Sequence, residues 1–111
     1  MSEFNIKSFT FKESTSGIYI TLWGNGATIE THLSESDLVR FTEDLFNLVM
    51  KGVHFCTDLR CFVCSSYSNG IEVEIGDDDG GNWLSLKDSL DQEQVIDLLQ
   101  ALIDYQCHKG W

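Results

Sequence analysis

The chain has 111 residues, 42% of them hydrophobic, so it is long enough to bury a single core, and we expect one domain over residues 1–111. Its 18 acidic and 7 basic residues give a formal charge of −11, which argues against binding to bare nucleic acid or to an anionic membrane. No apolar run is long enough to span a membrane. Four cysteines without a secretion signal are expected to be free thiols in the cytoplasm.

The first half of the chain predicts three strands and a helix. Aromatic and β-branched residues form the first strand, and their alternation changes phase, which predicts a bulge near Ser8. Asn25-Gly26 predicts a hairpin, because Asn-Gly suits the positive φ angles of a type I′ turn. The helix is expected to begin after an N-cap at Ser34 and to end at Gly52. The predicted strands are 4–11, 17–23 and 27–33.

The second half follows the same order. A hairpin is predicted through Ser68-Asn69-Gly70, and residues 77–82 are expected to form a loop. A second helix is expected to begin at Asp91, with Gln94 in the capping-box position, and to end before Gly110. The predicted strands are 53–57, 61–67, 71–75 and 83–86.

These elements predict an α+β fold with a mostly antiparallel sheet of about six strands and both helices on one face. The two helices carry apolar residues at matching positions, so a duplicated βββα unit is one interpretation. The sheet face away from the helices would then carry acidic and aromatic side chains. Its members are Tyr19, Trp23, Glu30, His32, Glu72 and Glu74.

The acidic residues are concentrated in the second half of the chain. Residues 70–106 contain ten acids and a single base, Lys87. In the strand 71–75, two glutamates alternate with three apolar residues and so share one face, and an aspartate triplet follows. Such a face is expected to bind a basic protein partner, with tryptophans as apolar anchors. The predicted partner-binding residues are Glu72, Glu74, Asp77, Asp78, Asp79, Trp83, Trp23 and Glu30. For Trp23 and Tyr19, burial in a second small core is the alternative.

Metal sites and catalysis receive little support from the sequence. Cys56, Cys61 and Cys64 lack the paired spacing of a structural zinc site, and alternation places the last two on opposite faces of a strand. Asp77 and Asp79 start like a calcium loop, but the required later glycine and glutamate are missing. No nucleophile elbow, phosphate loop or HExxH motif occurs. We therefore expect no cofactor, no metal and no enzymatic activity.

The order of elements resembles that of small immunity proteins from bacterial polymorphic-toxin and contact-dependent inhibition systems. The residues that carry this resemblance are Trp23, Leu33-Ser34 before the first helix, Gly52, the segment Gly70–Glu74, and Leu90 before the second helix. The resemblance implies a cytoplasmic protein that binds a cognate toxin domain, often a nuclease, and blocks it. It carries no residue-specific motif, so no functional residue is transferred.

Two other functions fit the same composition. One is a DNA mimic from a phage or mobile element that disables a restriction or CRISPR enzyme, with carboxylates spread over a long surface like phosphates. The other is a structural or assembly subunit that dimerises through its helix faces. The sequence leaves open whether the chain is a monomer or a homodimer.

Overall fold

Two four-stranded antiparallel sheets and two helices form the fold. The computed structural model describes residues 3–79 and 81–110, and for Asp78, Asp79 and Asn82 it describes the backbone alone. Each sheet is formed by four strands in chain order. The first contains β1 (Glu3–Ile6), β2 (Phe9–Ser14), β3 (Gly17–Gly24) and β4 (Ala27–Ser34), and the second contains β5 (Cys56–Asp58), β6 (Phe62–Tyr67), β7 (Gly70–Asp79) and β8 (Asn82–Leu90). The helices are α1 (Glu35–Lys51) and α2 (Gln92–Lys109).

The α+β class with two helices is confirmed, but the prediction of one sheet of about six strands with both helices on one face is wrong. The phase change in residues 4–11 is a hairpin turn and not a bulge. Lys7 has a φ of 53°, and Ile6 pairs with Phe9 across the turn. A bulge would let the strand continue, whereas this turn reverses the chain and makes two strands of one. Each half is therefore a ββββα unit and not βββα.

The predicted hairpins form, with differences at their turns. Asn25 and Gly26 both have positive φ, as a type I′ turn requires. In the second hairpin, Tyr67 pairs with Gly70, so the turn residues are Ser68 and Asn69. A Cβ atom at Gly70 would lie 2.5 Å from the carbonyl oxygen of Leu90, which explains the glycine.

Two strand boundaries in the second half also differ from the prediction. The segment predicted as a loop over 77–82 is instead largely strand, because β7 and β8 remain paired as far as Asp79 and Asn82. The strand predicted over 53–57 is shifted and shortened to Cys56–Asp58. The pairing of β7 with β8 therefore extends the second sheet as far as Asp79 and Asn82.

The helix ends agree with the sequence. Ser34 accepts a hydrogen bond from a first-turn N–H, and Gly52 ends α1 in the left-handed conformation. Asp91 and Gln94 form a complete capping box at the start of α2, and Gly110 ends that helix in the same way as Gly52. Neither helix, within the described part of the chain, is long and apolar enough to cross a membrane.

One hydrophobic cluster joins both sheets and both helices. Its members include Phe9, Ile18, Ile20, Leu22, Leu33, Leu38, Phe41, Leu45, Phe62, Ile71, Val73, Ile75, Leu90, Val95, Leu98 and Leu102. The buried Tyr105 hydroxyl on α2 donates a hydrogen bond of 2.9 Å to the carbonyl oxygen of Gly17 in the first sheet. Burial, with added repulsion from Glu13 and Glu35, raises the pKa of Tyr105.

The two halves interlock, because each helix lies beside the first strand of the other half. α2 contacts β1, and α1 lines a groove with the residues of β5. The sheets also meet directly, β4 against β7 and β3 against β8. These contacts between the two halves form two grooves, one between β1 and α2 and one between β5 and α1.

Candidate binding groove

The predicted partner-binding residues are divided between the two sheets. The second sheet buries one face, which carries Ile71 and Val73. Its opposite, exposed face carries Glu72, Glu74 and Trp83, because side chains alternate between the two faces along each strand. By the same alternation, Asp77 of β7 is on the opposite side of the sheet from Glu72 and Glu74. Trp23 and Glu30 belong to the first sheet. The side chains of Asp78 and Asp79 lie outside the described structure.

On the second sheet, the acidic side chains have partners within the chain. Lys87 Nζ lies 3.7 Å from a carboxylate oxygen of Glu72, and Ser85 donates a hydrogen bond of 3.2 Å to Glu74. Trp83 lies over Gly76, where a Cβ atom would come within 2.0 Å of the indole ring. The indole is still 50% exposed. The prediction that these eight residues form one binding site stays a prediction.

Trp23 and Tyr19 are exposed, which excludes a second core around them. Trp23 is 59% exposed near the end of β3, and Tyr19 is 40% exposed. The Tyr19 ring lies 4.9 Å from the ring of His32, which is 2.9 Å from the hydroxyl of Ser14. This face of the first sheet therefore carries exposed aromatic rings beside polar side chains.

A groove of about 440 Å³ lies between β1 and α2. From β1 it is lined by Phe4, Asn5 and Ile6, of which Ile6 is buried and Phe4 packs against the core. From α2 it is lined by Asp97, Gln100, Ala101 and Asp104. Phe4, Ile6 and Ala101 give it apolar walls, and the two aspartates give it negative charge.

The spacing on α2 explains how the acidic residues face the groove. Residues four and three apart lie on the same side of a helix, so Asp97, Ala101 and Asp104 form one face. Ala101 has the smallest side chain of the three and leaves space between the carboxylates. Leu98 and Leu102, one position further along, are buried and hold this part of the helix in the core.

No described lysine or arginine is paired with the carboxylates of this groove. Asp104 accepts a hydrogen bond of 3.0 Å from Gln100 on the same helix. Asp97 has no hydrogen-bond or ion-pair partner among the described residues. Both carboxylates therefore remain available to an external cation.

β1 is also the terminal strand of its sheet. It pairs with β2 on one side, and within residues 3–79 and 81–110 no strand pairs with it on the other. Along such an edge, alternate residues direct their N–H and C=O groups away from the sheet. The groove thus combines unpaired backbone groups, apolar walls and two carboxylates.

A second groove of about 420 Å³ lies at the equivalent place in the other half, between β5 and α1. Aligning the helix N-caps places Arg40 at the position of Asp97 and Asp44 at the position of Ala101. Asp44 accepts a hydrogen bond of 3.1 Å from Thr57 on β5. This groove is thus already crossed by a side-chain contact of the chain itself, unlike the β1–α2 groove.

Four groove residues were not predicted from the sequence: Phe4, Asp97, Ala101 and Asp104. The spacing of Asp97 and Asp104 in a predicted helix was a usable signal, since it places both on one face. It could not show that β1, some ninety residues earlier in the sequence, lies opposite that face.

The cysteines are free and do not form a metal cluster. Cys64 is buried, while Cys56 and Cys107 are exposed. Burial, helped by the nearby Cys56 and Asp44, raises the pKa of the Cys64 thiol, so this side chain packs as a neutral apolar group. Across the described residues, no three His, Cys, Asp or Glu side chains come close enough together to hold a metal ion.

Comparisons with known proteins give a shared fold but no family. No protein-family model and no curated protein matches the sequence. The fold is similar to part of the crystal structure of hydroquinone 1,2-dioxygenase PnpCD in complex with Fe3+, with a TM-score of 0.69 and 11% sequence identity. The likeness covers 90% of this chain and 32% of the dioxygenase chain, so this chain spans about a third of that protein's length.

The prediction of an acidic inhibitor is contradicted by this likeness. The same fold occurs within an enzyme chain, so the element order is not particular to immunity proteins. The DNA-mimic and dimeric-subunit alternatives belonged to the same prediction and are set aside with it. The prediction failed because acidity and element order are shared by unrelated α+β domains. At 11% identity the iron and the activity of the dioxygenase are not transferred to this chain.

Proposed function

We propose that this chain is a non-catalytic polypeptide-binding domain that takes up an extended, basic segment of a partner protein in the groove between β1 and α2. The segment adds to the first sheet as a strand beside β1. The observation that carries this proposal is the edge of β1, to which no strand of the described residues is added, beside α2 carboxylates with which no described lysine or arginine is paired. Strand addition at a sheet edge is a common mode of peptide recognition, in which backbone hydrogen bonds supply affinity and side-chain pockets supply specificity.

Charge determines which segment fits. The chain carries a formal charge of −11, and the groove contributes Asp97 and Asp104, with which none of the described lysines or arginines is paired. Lysine or arginine side chains that project from an added strand meet these carboxylates. The field of the whole molecule raises the rate of encounter with a basic partner. A cytoplasmic location agrees with the four free cysteines.

A direct test uses a synthetic peptide of alternating lysine and threonine, seven residues long and labelled with fluorescein. We expect fluorescence anisotropy to show saturable binding to the wild-type chain. Asp97→Lys should weaken binding at least tenfold, because it removes one attractive charge and adds a repulsive one inside the groove. Glu30→Lys is the matched control, since it reverses the same charge on the exposed face of the first sheet, and it should weaken binding less than threefold.

Two results would overturn the proposal. One is an equal loss of affinity in Asp97→Lys and Glu30→Lys, which would mean that the peptide senses net charge and not the groove. The other concerns the backbone, because strand addition needs N–H groups from alternate peptide residues. One peptide is N-methylated at every lysine and a second at every threonine, so that each lacks the N–H groups of one set of alternate residues. We expect one of the two to bind at least tenfold more weakly than the unmodified peptide. Full affinity of both peptides would exclude strand addition.

A further inference from the structure

The spacing of groups on α2 sets which side chains of a bound segment can be accommodated. Asp97 and Asp104 are seven residues apart, which corresponds to about 10.5 Å along a helix axis. Ala101 lies between them and faces the same groove. Phe4 of β1 lines the groove as well, so the space above Ala101 has apolar walls.

An extended segment presents side chains to one face at every second residue. Side chains two residues apart are separated by about 6.6 Å, and side chains four apart by about 13 Å. On a segment that runs alongside α2, two basic residues four apart exceed the carboxylate spacing by about 3 Å, which the flexible stem of lysine takes up. This spacing also leaves one side chain on the same face between them, above Ala101. Basic residues two apart leave no such side chain.

We infer that the groove selects segments of the pattern basic–x–apolar–x–basic, with the apolar side chain over Ala101 and the basic side chains at Asp97 and Asp104. This inference rests on the proposed strand addition at β1 and specifies which sequences of the added segment bind best. Gln100 donates a hydrogen bond to Asp104, which holds that carboxylate in place, whereas Asp97 has no such support in the described structure. The basic residue at Asp104 therefore meets the better-positioned partner.

Two peptides of identical composition and charge test the spacing. The first is Thr-Lys-Thr-Val-Thr-Lys-Thr, with lysines four apart around valine. The second is Thr-Lys-Thr-Lys-Thr-Val-Thr, with lysines two apart. We expect isothermal titration calorimetry to show at least fivefold tighter binding of the first peptide to the wild-type chain.

The variant Ala101→Leu fills the space between the carboxylates without changing charge. It should remove the advantage of the first peptide, so that both peptides bind with similar, weaker affinity. Circular dichroism and urea unfolding of this variant verify that α2 is intact, as expected for an alanine-to-leucine change on a helix surface.

The possible outcomes separate the inference from the proposal on which it rests. Equal affinity of both peptides for the wild-type chain would refute the spacing rule and leave strand addition standing. An unchanged preference in a folded Ala101→Leu variant would also refute the rule, because the apolar residue would then not lie over Ala101. Failure of these peptides and of the alternating lysine–threonine peptide to bind would refute the proposed function itself.

Discussion

At the scale of single residues, Asp88 shows how one carboxylate connects the two halves. It lies on β8, yet it accepts hydrogen bonds from Lys7 Nζ, at 2.9 Å, and from the Ser8 hydroxyl in the turn between β1 and β2. Lys7 also donates to the carbonyl oxygen of Ser89 at 2.7 Å. These contacts hold the turn between β1 and β2 in place, at the position where the sequence predicted a bulge.

This environment makes the stability of the chain dependent on pH. Partial burial acts to raise the pKa of Asp88, but the hydrogen bonds from Ser8 and Lys7 outweigh it and lower the pKa below its ordinary value. A carboxyl with a lowered folded-state pKa stabilises the fold above its unfolded pKa of about 3.9, and this stabilisation is lost as pH falls through the folded-state value.

We therefore expect Asp88→Asn to lower the free energy of unfolding at pH 6 by about 1 kcal/mol. The difference from wild type should shrink as the pH is lowered towards 3, because the wild-type carboxyl then becomes protonated as well. Urea unfolding at both pH values measures this. Asp97→Asn removes one charge from an unpartnered site and is the control. A difference that stays constant with pH would show that the Lys7–Ser8 contacts do not stabilise the ionised form.

At the scale of elements, the β7–β8 hairpin depends on two close approaches at glycines. The Trp83 ring covers Gly76, and the carbonyl oxygen of Leu90 faces Gly70. Neither glycine has a positive φ. A glycine is therefore required at each position because a Cβ atom would not fit, and not because of the backbone conformation. Local sequence patterns identified Gly70 as a turn residue. The structure shows that a glycine fits there because the backbone of the opposite strand approaches too closely for a Cβ atom.

Gly70→Ala should lower the free energy of unfolding by about 1–3 kcal/mol, because its Cβ would lie 2.5 Å from a backbone oxygen that cannot move freely. Gly24→Ala is the matched control. It lies at the end of β3, also without a positive φ, and its Cβ would meet the Leu86 side chain at an ordinary 3.6 Å. We expect a change within about 0.5 kcal/mol there. Equal destabilisation of the two variants in urea unfolding would contradict the steric explanation, because only the Cβ atom at Gly70 meets a backbone oxygen at close range.

At the scale of the whole molecule, the charge of −11 is spread over a body of 39 × 33 × 21 Å. The range of electrostatic forces is about 30 Å at 0.01 M salt and about 10 Å at 0.1 M. At low salt, carboxylates therefore repel one another across the entire molecule, while at the higher concentration they act over neighbouring residues alone. The ion pairs of the described residues are few and lie at the surface.

Raising NaCl from 0.01 to 0.1 M should consequently increase the urea concentration at the midpoint of unfolding, since screening relieves repulsion in the folded state. The same increase with KCl would show that ionic strength, and not a bound sodium ion, is responsible. A fall in stability with salt would mean that the favourable ion pairs outweigh the net repulsion.

The sequence by itself determined the features whose causes are local. Caps at Ser34 and Asp91, helix ends at Gly52 and Gly110, and the Asn25-Gly26 turn all depend on residues within a few positions of one another, and the structure contains each of them. The sequence did not resolve the reversal at Lys7, because a bulge and a tight turn both change the phase of the alternation.

Only the tertiary structure decided how many sheets form and which residues share a site. Phe4 and Asp97 line one groove because α2 of the second half lies beside β1 of the first, and no local pattern records that contact. The residues of the predicted acidic patch likewise belong to two sheets, and the relative placement of those sheets depends on the shared core. Periodicity shows which face a side chain is on, but contacts between distant segments determine what that face meets.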